Sequence, residues 1–203
     1  MSIIIHQLFP KPVYFSQLER KLTKEELNTI NIYKEKTYKN EGNITSYNTY
    51  VLENKTLKNL KKDLDKIVVD YFNKVVCTNN SITPYITQSW LNYTGTNQFH
   101  HQHSHPNAYV SGVFYVDAKE EVDKIKFYKT NAPQIELNTT QHNTFNSSSW
   151  FFPVKTGDVI LFPSTLAHGV DKKQETPTRI SLAFNIFIKG KIGNKHNLTE
   201  LIL

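Results

Sequence analysis

From residue 82 onward the apolar positions fall into short runs: 85 to 94, 109 to 116, 124 to 128, 133 to 137, 150 to 154, 158 to 163 and 179 to 188, separated by Gly, Pro, Asn and Ser. Closely spaced β-rich runs of this kind predict an antiparallel sandwich or barrel rather than alternating strand and helix. The earlier part of the chain is patterned differently. Thr23 with Glu26 three positions on, flanked by Leu22 and Leu27, makes a capping box and hydrophobic staple and predicts a helix over about 23 to 36. Leu57, Leu60, Leu64, Ile67, Tyr71 and Val75 recur at steps of three and four, which predicts a second helix over about 54 to 77. The expected fold is α+β, mainly β: a helical part (about 1–80) packed on one sheet of a jelly roll, or double-stranded β-helix (about 82–190), in a single domain spanning 1–203. The polar stretch from Asn138 to Ser149 is expected as a loop at the mouth of that barrel, where lids and substrate contacts often occur.

The last apolar run has a second property. In Arg179 to Phe187, the residues Ile180, Leu182, Phe184 and Ile186 share one strand face and leave Arg179, Ser181 and Asn185 on the other. An arginine held on a patterned strand calls for an anion, because its planar fork pairs with a carboxylate through two hydrogen bonds, and a serine two residues along can supply a third.

Composition narrows the setting. The net charge of +6 admits an acidic partner, but the lysines gather around Lys55, Lys58, Lys61, Lys62 and Lys66, interrupted by Asp63 and Asp65, as on a solvated helix face. A nucleic-acid partner is therefore disfavoured against a peptide side chain or a small metabolite. The single cysteine, Cys77, excludes an internal disulfide framework and reads as a small core residue. No run is apolar enough to span a bilayer, and the three isoleucines near the start are too few for a signal peptide. The expected compartment is the cytoplasm, a host's cytoplasm if the gene is carried by a phage, and unpaired strand edges favour a homodimer.

Histidines carry the chemistry. His100, His101, His103 and His105 lie within six residues, and His168 follows the buried run Val159 to Phe162. On a strand, residues two apart share a face, so His103 and His105 can aim two imidazoles at one point, with His168 delivered from another strand. His101 with His103 is an alternative pair in the same phase. Imidazole suits iron, zinc, copper and nickel, and must be neutral to coordinate, so metal affinity is expected to weaken as pH falls toward about 6.5. A closed structural zinc site generally needs four protein ligands, often cysteines, and the chain has one cysteine.

On these residues the chain resembles the Fe(II)- and 2-oxoglutarate-dependent dioxygenases. The likeness rests on His103-Ser104-His105, then His168, then Arg179-Ile180-Ser181, with Tyr93 ten residues before His103 matching a tyrosine of prolyl-hydroxylase-like members. His105-Pro106-Asn107, the run 111 to 116 and the run 157 to 164 are similar to oxygenases of unassigned substrate found in bacteria and phages, and the likeness covers residues 85 to 188. It implies His103, His105 and His168 as metal ligands and Arg179, Ser181 and Tyr93 as contacts to the co-substrate. It also implies Fe(II), 2-oxoglutarate and O2 as the cofactor set, and hydroxylation of a substrate as 2-oxoglutarate becomes succinate and CO2. The wider family has a carboxylate where this chain has His105, which makes the metal-binding face entirely histidine. The alternative is a cupin-like metal-binding protein, or another metalloenzyme that does not use 2-oxoglutarate. Gly157, Pro163 and His168 fit the spacing of the second cupin motif, but positions 106 to 111 lack the glutamate of the first.

Overall fold

The computed structural model describes residues 2–130, 135 and 137–203. Strand β1 (Tyr14–Gln17) precedes helix α1 (Lys24–Tyr33), and strands β2 (Thr37–Lys39) and β3 (Ile44–Ser46) form a hairpin ahead of helix α2 (Lys58–Tyr71). The remaining strands are β4 (Ile82–Thr94), β5 (His100–His103), β6 (Val110–Asp117), β7 (Lys124–Tyr128), β8 (Ser149–Pro153), β9 (Asp158–Pro163), β10 (His168–Val170), β11 (Arg179–Ile192) and β12 (Leu201–Ile202). They form two antiparallel sheets, a larger one ordered β1-β9-β6-β11-β4-β3-β2 with β12 on β11, and a smaller one ordered β5-β10-β7-β8. The strand expected at 133 to 137 lies mostly outside the described residues.

The capping box at the start of α1 is present, with Glu26 N donating to Thr23 Oγ1 (3.2 Å) and Thr23 N donating to Glu26 Oε2 (2.8 Å). Arg20 then pairs with the buried Glu26 at 2.7 Å and with Asp63 of α2 at 2.8 Å, tying the two helices together. Helix α1 ends three residues earlier than its pattern suggests, because the Lys36 carbonyl accepts from Tyr47 N and the chain is drawn into the β2–β3 hairpin. The second helical run is continuous but uneven: a tight turn at Lys55–Leu57, then α2, then a wider turn at Phe72–Val76. Cys77 closes it in the left-handed conformation (φ 49°) and is exposed, so the core role expected of it is corrected. The lysines of α2 form the solvated face their spacing suggested, paired at 3.5 to 3.9 Å with Glu53, Asp63 and Asp65.

Two apolar clusters hold the layers together. Leu60, Leu64, Val68 and Tyr71 of α2 pack on one face of the larger sheet against Leu91, Phe114, Leu182 and Phe184. Each fully buried leucine contributes about 1.5–3 kcal/mol. The other cluster fills the space between the sheets with Val113, Tyr115, Ile125, Phe127, Ile160 and Phe162. Gly112 is needed on the helix side of the sheet, since a Cβ on it would stand 2.3 Å from the Phe184 ring. Among the described residues no helix is long and apolar enough to cross a membrane.

Candidate metal and co-substrate site

Strand register decides which side chains meet between the sheets. In the larger sheet Arg179 lies opposite Thr94, Ser181 opposite Asn92 and Tyr115, and Ala183 opposite Trp90 and Val113, so all of these face the smaller sheet. Facing them, His168 of β10 is paired with His103 of β5, which puts two imidazoles side by side. His105 reaches the same place by a different route from the expected strand alternation. Strand β5 ends at His103, and the turn through Pro106 and Asn107 (φ 54°) is anchored by His105 N donating to the Ser164 carbonyl at 3.0 Å. The loop that presents His105 is thus held by the loop that leads into His168.

The three imidazoles converge. Ligand nitrogens of His103, His105 and His168 lie within 4.8 Å of one another, and the Nε2 atoms of His105 and His168 are 3.4 Å apart. His103 Nδ1 is 2.9 Å from the His101 carbonyl and His168 Nδ1 is 3.1 Å from the Leu166 carbonyl. A carbonyl can only accept, so each Nδ1 carries the proton and each Nε2 is left with a lone pair aimed at the common point. Burial and then the neighbouring histidines push His168 down to about 2 and His105 to about 4, and burial lowers His103 as well. All three are therefore neutral at neutral pH, the state that coordinates a metal. Gly169 follows His168 because a Cβ there would meet the His100 carbonyl at 2.8 Å and force β10 away from β5.

Beyond the triad the same chamber is lined by Arg179, Ser181, Tyr115 and Asn92. Arg179 is 3% exposed, donates to Thr94 Oγ1 (3.2 Å) and more distantly to the Lys124 carbonyl (3.5 Å), and its Nε has no partner among the described residues. A buried guanidinium with an unpaired N–H and no carboxylate salt bridge is an anion site. The nearest comparable buried cation, Lys173, already has its counter-ion in Asp123 at 2.8 Å.

Tyr93 is a correction. Its register partner is Ile180, so it points to the opposite face of the sheet, into the cluster beneath the helices, where its hydroxyl donates to the Ile30 carbonyl at 3.1 Å. The buried tyrosine that does stand beside Arg179 is Tyr115, whose hydroxyl is held above its ordinary pKa by burial. His100 is the other residue not singled out from the sequence: its ring stacks on His103 at 4.5 Å between centroids and lines the chamber. His101 turns away, its Nδ1 3.4 Å from the Glu41 carbonyl, and groups with His100 and His103 rather than with His168. Among the aromatic residues, Trp90 and Tyr115 line the chamber, whereas Trp150 and Phe152 line a separate groove. Phe145 and Ser147 to Ser149 of the polar loop line that groove too, and none of the loop's described residues lines the histidine chamber. Strand order explains this, since the loop joins β7 to β8 on the side of the smaller sheet away from β5.

Comparison with known proteins gives the same class. Residues 88–185, which contain all three histidines, Arg179 and Ser181, match the family model described as "Putative 2OG-Fe(II) oxygenase". No curated protein matches the sequence. Among solved structures, a 2OG-Fe(II) oxygenase family oxidoreductase from Burkholderia pseudomallei is 14% identical, with 85% of this chain and 83% of that one covered and a TM-score of 0.56. HygX from Streptomyces hygroscopicus, with nickel, 2-oxoglutarate and hygromycin B bound, is 13% identical over 85% and 82% of the two chains, with a TM-score of 0.56. A prolyl hydroxylase from Trichoplax adhaerens, in complex with a hypoxia inducible factor peptide fragment, is 14% identical over 85% and 83%, also with a TM-score of 0.56. At these identities the three structures speak for the fold, and the family match carries the chemistry. Residues 88–185 therefore carry a 2OG-Fe(II) oxygenase domain, of a class of oxidoreductase that works with Fe(II), 2-oxoglutarate and O2.

Proposed function

We propose that His103, His105 and His168 hold the Fe(II), that Arg179 and Ser181 hold the far carboxylate of 2-oxoglutarate, and that the reaction is hydroxylation of a peptide side chain or small metabolite. The observation that carries this reading is the pairing of three convergent neutral imidazoles with a buried guanidinium that has no anionic partner among the described residues. The donor set fits the ion, since imidazole nitrogen is a good iron ligand, and the orphaned Arg179 Nε fits a carboxylate. Three neutral ligands leave the full charge of a divalent ion uncompensated, which favours capture of a dianion beside it. The facing antiparallel sheets support a double-stranded β-helix built as one domain over residues 1–203, and we place the protein in the cytoplasm. The exposed strand edges are compatible with a homodimer.

When bound, the iron supplies O2 activation, coupled to decarboxylation of 2-oxoglutarate to succinate and CO2. The chain's own part is placement. The carbonyls of His101 and Leu166 fix the ring orientations of His103 and His168 and keep their lone pairs on the metal side. Thr94 and the Lys124 carbonyl hold the Arg179 fork in one plane, so the carboxylate it accepts is oriented before chemistry begins. Val113, Ile125 and Phe162 line the chamber and keep bulk water from it, which strengthens every charge interaction inside. Succinate release from 2-oxoglutarate under Fe(II), with no other substrate present, tests the reading. The wild type should turn over, and His168→Ala and Arg179→Ala should each fall by about 100-fold or more. Undiminished release by His168→Ala contradicts the assignment.

A further inference from the structure

A second cavity opens on the outer side of the histidines. It is a cleft of about 260 Å³ between the β2–β3 hairpin and β4, and it shares Trp90, His100, His103 and His105 with the inner chamber. Anything seated in it lies against His103 and His105, and Arg179 lines only the inner chamber. The rest of the cleft's wall is made by Tyr38, Asn40, Thr45, Thr49, Gln88 and His101.

The chemistry of that wall is selective. Among the described residues, no lysine, arginine, aspartate or glutamate lines the cleft. A carboxylate, that of Glu41, stands 3.9 Å from His101 Nδ1, but it is 71% exposed and water screens it. A phosphate or carboxylate on the substrate would meet no counter-ion and would lose hydration without replacement. Besides the imidazoles, the polar groups present are two side-chain amides, two threonine hydroxyls and a phenol, which both donate and accept and so match hydroxyl groups that do the same. Trp90 supplies the apolar component. Its indole is packed 5.6 Å from the His105 ring, so a substrate ring laid on it through a C–H face is brought beside His105. The volume is just below the roughly 300–1,000 Å³ of pockets for drug-sized ligands, which limits the occupant to about one ring.

We propose that this cleft binds the substrate of the oxygenase and that the substrate presents an uncharged, hydroxyl-bearing sugar ring that stacks on Trp90. The inference rests on the oxygenase reading above, and its test separates the two. The chain has two tryptophans, so Trp150→Phe, a conservative change at a partly exposed position on β8, leaves Trp90 as the only indole emitter. That variant, loaded with Ni(II) and 2-oxoglutarate, is titrated with methyl glucoside, galactoside and mannoside. The same titration is run with glucuronate and glucosamine as charged counterparts, and with N-acetylprolinamide as a peptide probe. At least one neutral glycoside should change Trp90 emission with a millimolar Kd, and the same glycoside should raise Fe(II)-dependent succinate release by the wild type. Gln88→Leu, which removes one amide from the wall, should weaken that Kd roughly three- to tenfold. Calorimetry of the wild-type protein with the same probes gives the ranking without any variant. Preferential binding of a charged sugar, binding of prolinamide in place of the glycosides, or no binding by any probe overturns the inference. If succinate release in the absence of sugar is intact in those cases, the oxygenase reading stands and only the substrate class is wrong.

Discussion

Replacing Arg179 with methionine should move stability and co-substrate affinity in opposite directions. The guanidinium is 3% exposed and has no anionic partner among the described residues, and burying such a charge costs several kcal/mol. Its two hydrogen bonds, at 3.2 Å to Thr94 and 3.5 Å to the Lys124 carbonyl, offset about 1 kcal/mol each at most. Arg179→Met keeps most of the side-chain volume and removes the charge, so the ligand-free protein should gain about 1–2 kcal/mol. For a chain of this size that raises the thermal midpoint by roughly 2–8 °C. The same change leaves the far carboxylate of 2-oxoglutarate buried without its partner, a loss of about 2–5 kcal/mol in binding, or roughly 30- to 5,000-fold in Kd. Thermal melts of the metal-free proteins give the first quantity, and calorimetric titration of the Ni(II)-loaded proteins with 2-oxoglutarate gives the second. A variant that melts lower than the wild type and binds 2-oxoglutarate equally well would refute the reasoning at both points, and would make Arg179 an ordinary structural residue.

Four further outcomes are expected. Burial lowers His100 to about 3, His105 to about 4 and His168 to about 2, against about 6.5 in the unfolded chain. Below about 6.5 the unfolded chain therefore takes up protons that the folded one does not, so stability is full above that pH and is lost progressively as pH falls toward these depressed values. Urea denaturation of the metal-free protein should show its midpoint falling from pH 7 to 5, and a flat midpoint contradicts the burial of these rings. Metal binding to the folded state should survive below pH 6, lower than the bare reference pKa of histidine suggests, as a nickel titration at pH 5.5 will show. Gly169→Ala puts a methyl group against the His100 carbonyl, and should weaken metal binding about 10- to 100-fold in a folded protein, an effect that unchanged nickel affinity would exclude. Lys173→Met strands the buried Asp123 carboxylate and should cost about 3–5 kcal/mol by urea denaturation, whereas a loss under 1 kcal/mol would mean that Asp123 finds another partner.

Most of the scaffold was legible in the chain because long strands and capped helices leave strong periodic signals. The runs at 124 to 128 and 158 to 163 coincide with β7 and β9, and the Thr23 and Glu26 pair starts α1 where it should. The short strands β1, β2, β3, β5, β10 and β12, of two to four residues each, carry too few alternations to be seen. Strand β5 is nearly all histidine, so its role in the smaller sheet is set by pairing with β10 and not by its own pattern. The convergence of His103, His105 and His168 was legible because clustering of histidines is a chemical signal that survives ignorance of register. Tyr93 was misplaced for the opposite reason, since its face depends on parity along β4. Asn92 and Thr94 alternate with Leu91 and Tyr93, and that alternation already assigns Tyr93 to the apolar side. The buried Lys173–Asp123 pair joins two loops 50 residues apart, which no local pattern encodes.

The central claim is that three imidazoles and one guanidinium enclose a site for Fe(II) and 2-oxoglutarate. Optical titration of the protein with Fe(II) and 2-oxoglutarate in the absence of O2 tests it most directly. A weak visible absorption band should appear in the wild type and saturate at one iron per chain. It should be absent from His168→Ala, and in Arg179→Met it should demand far more 2-oxoglutarate. No band in the wild type, or an undiminished band in His168→Ala, contradicts the account.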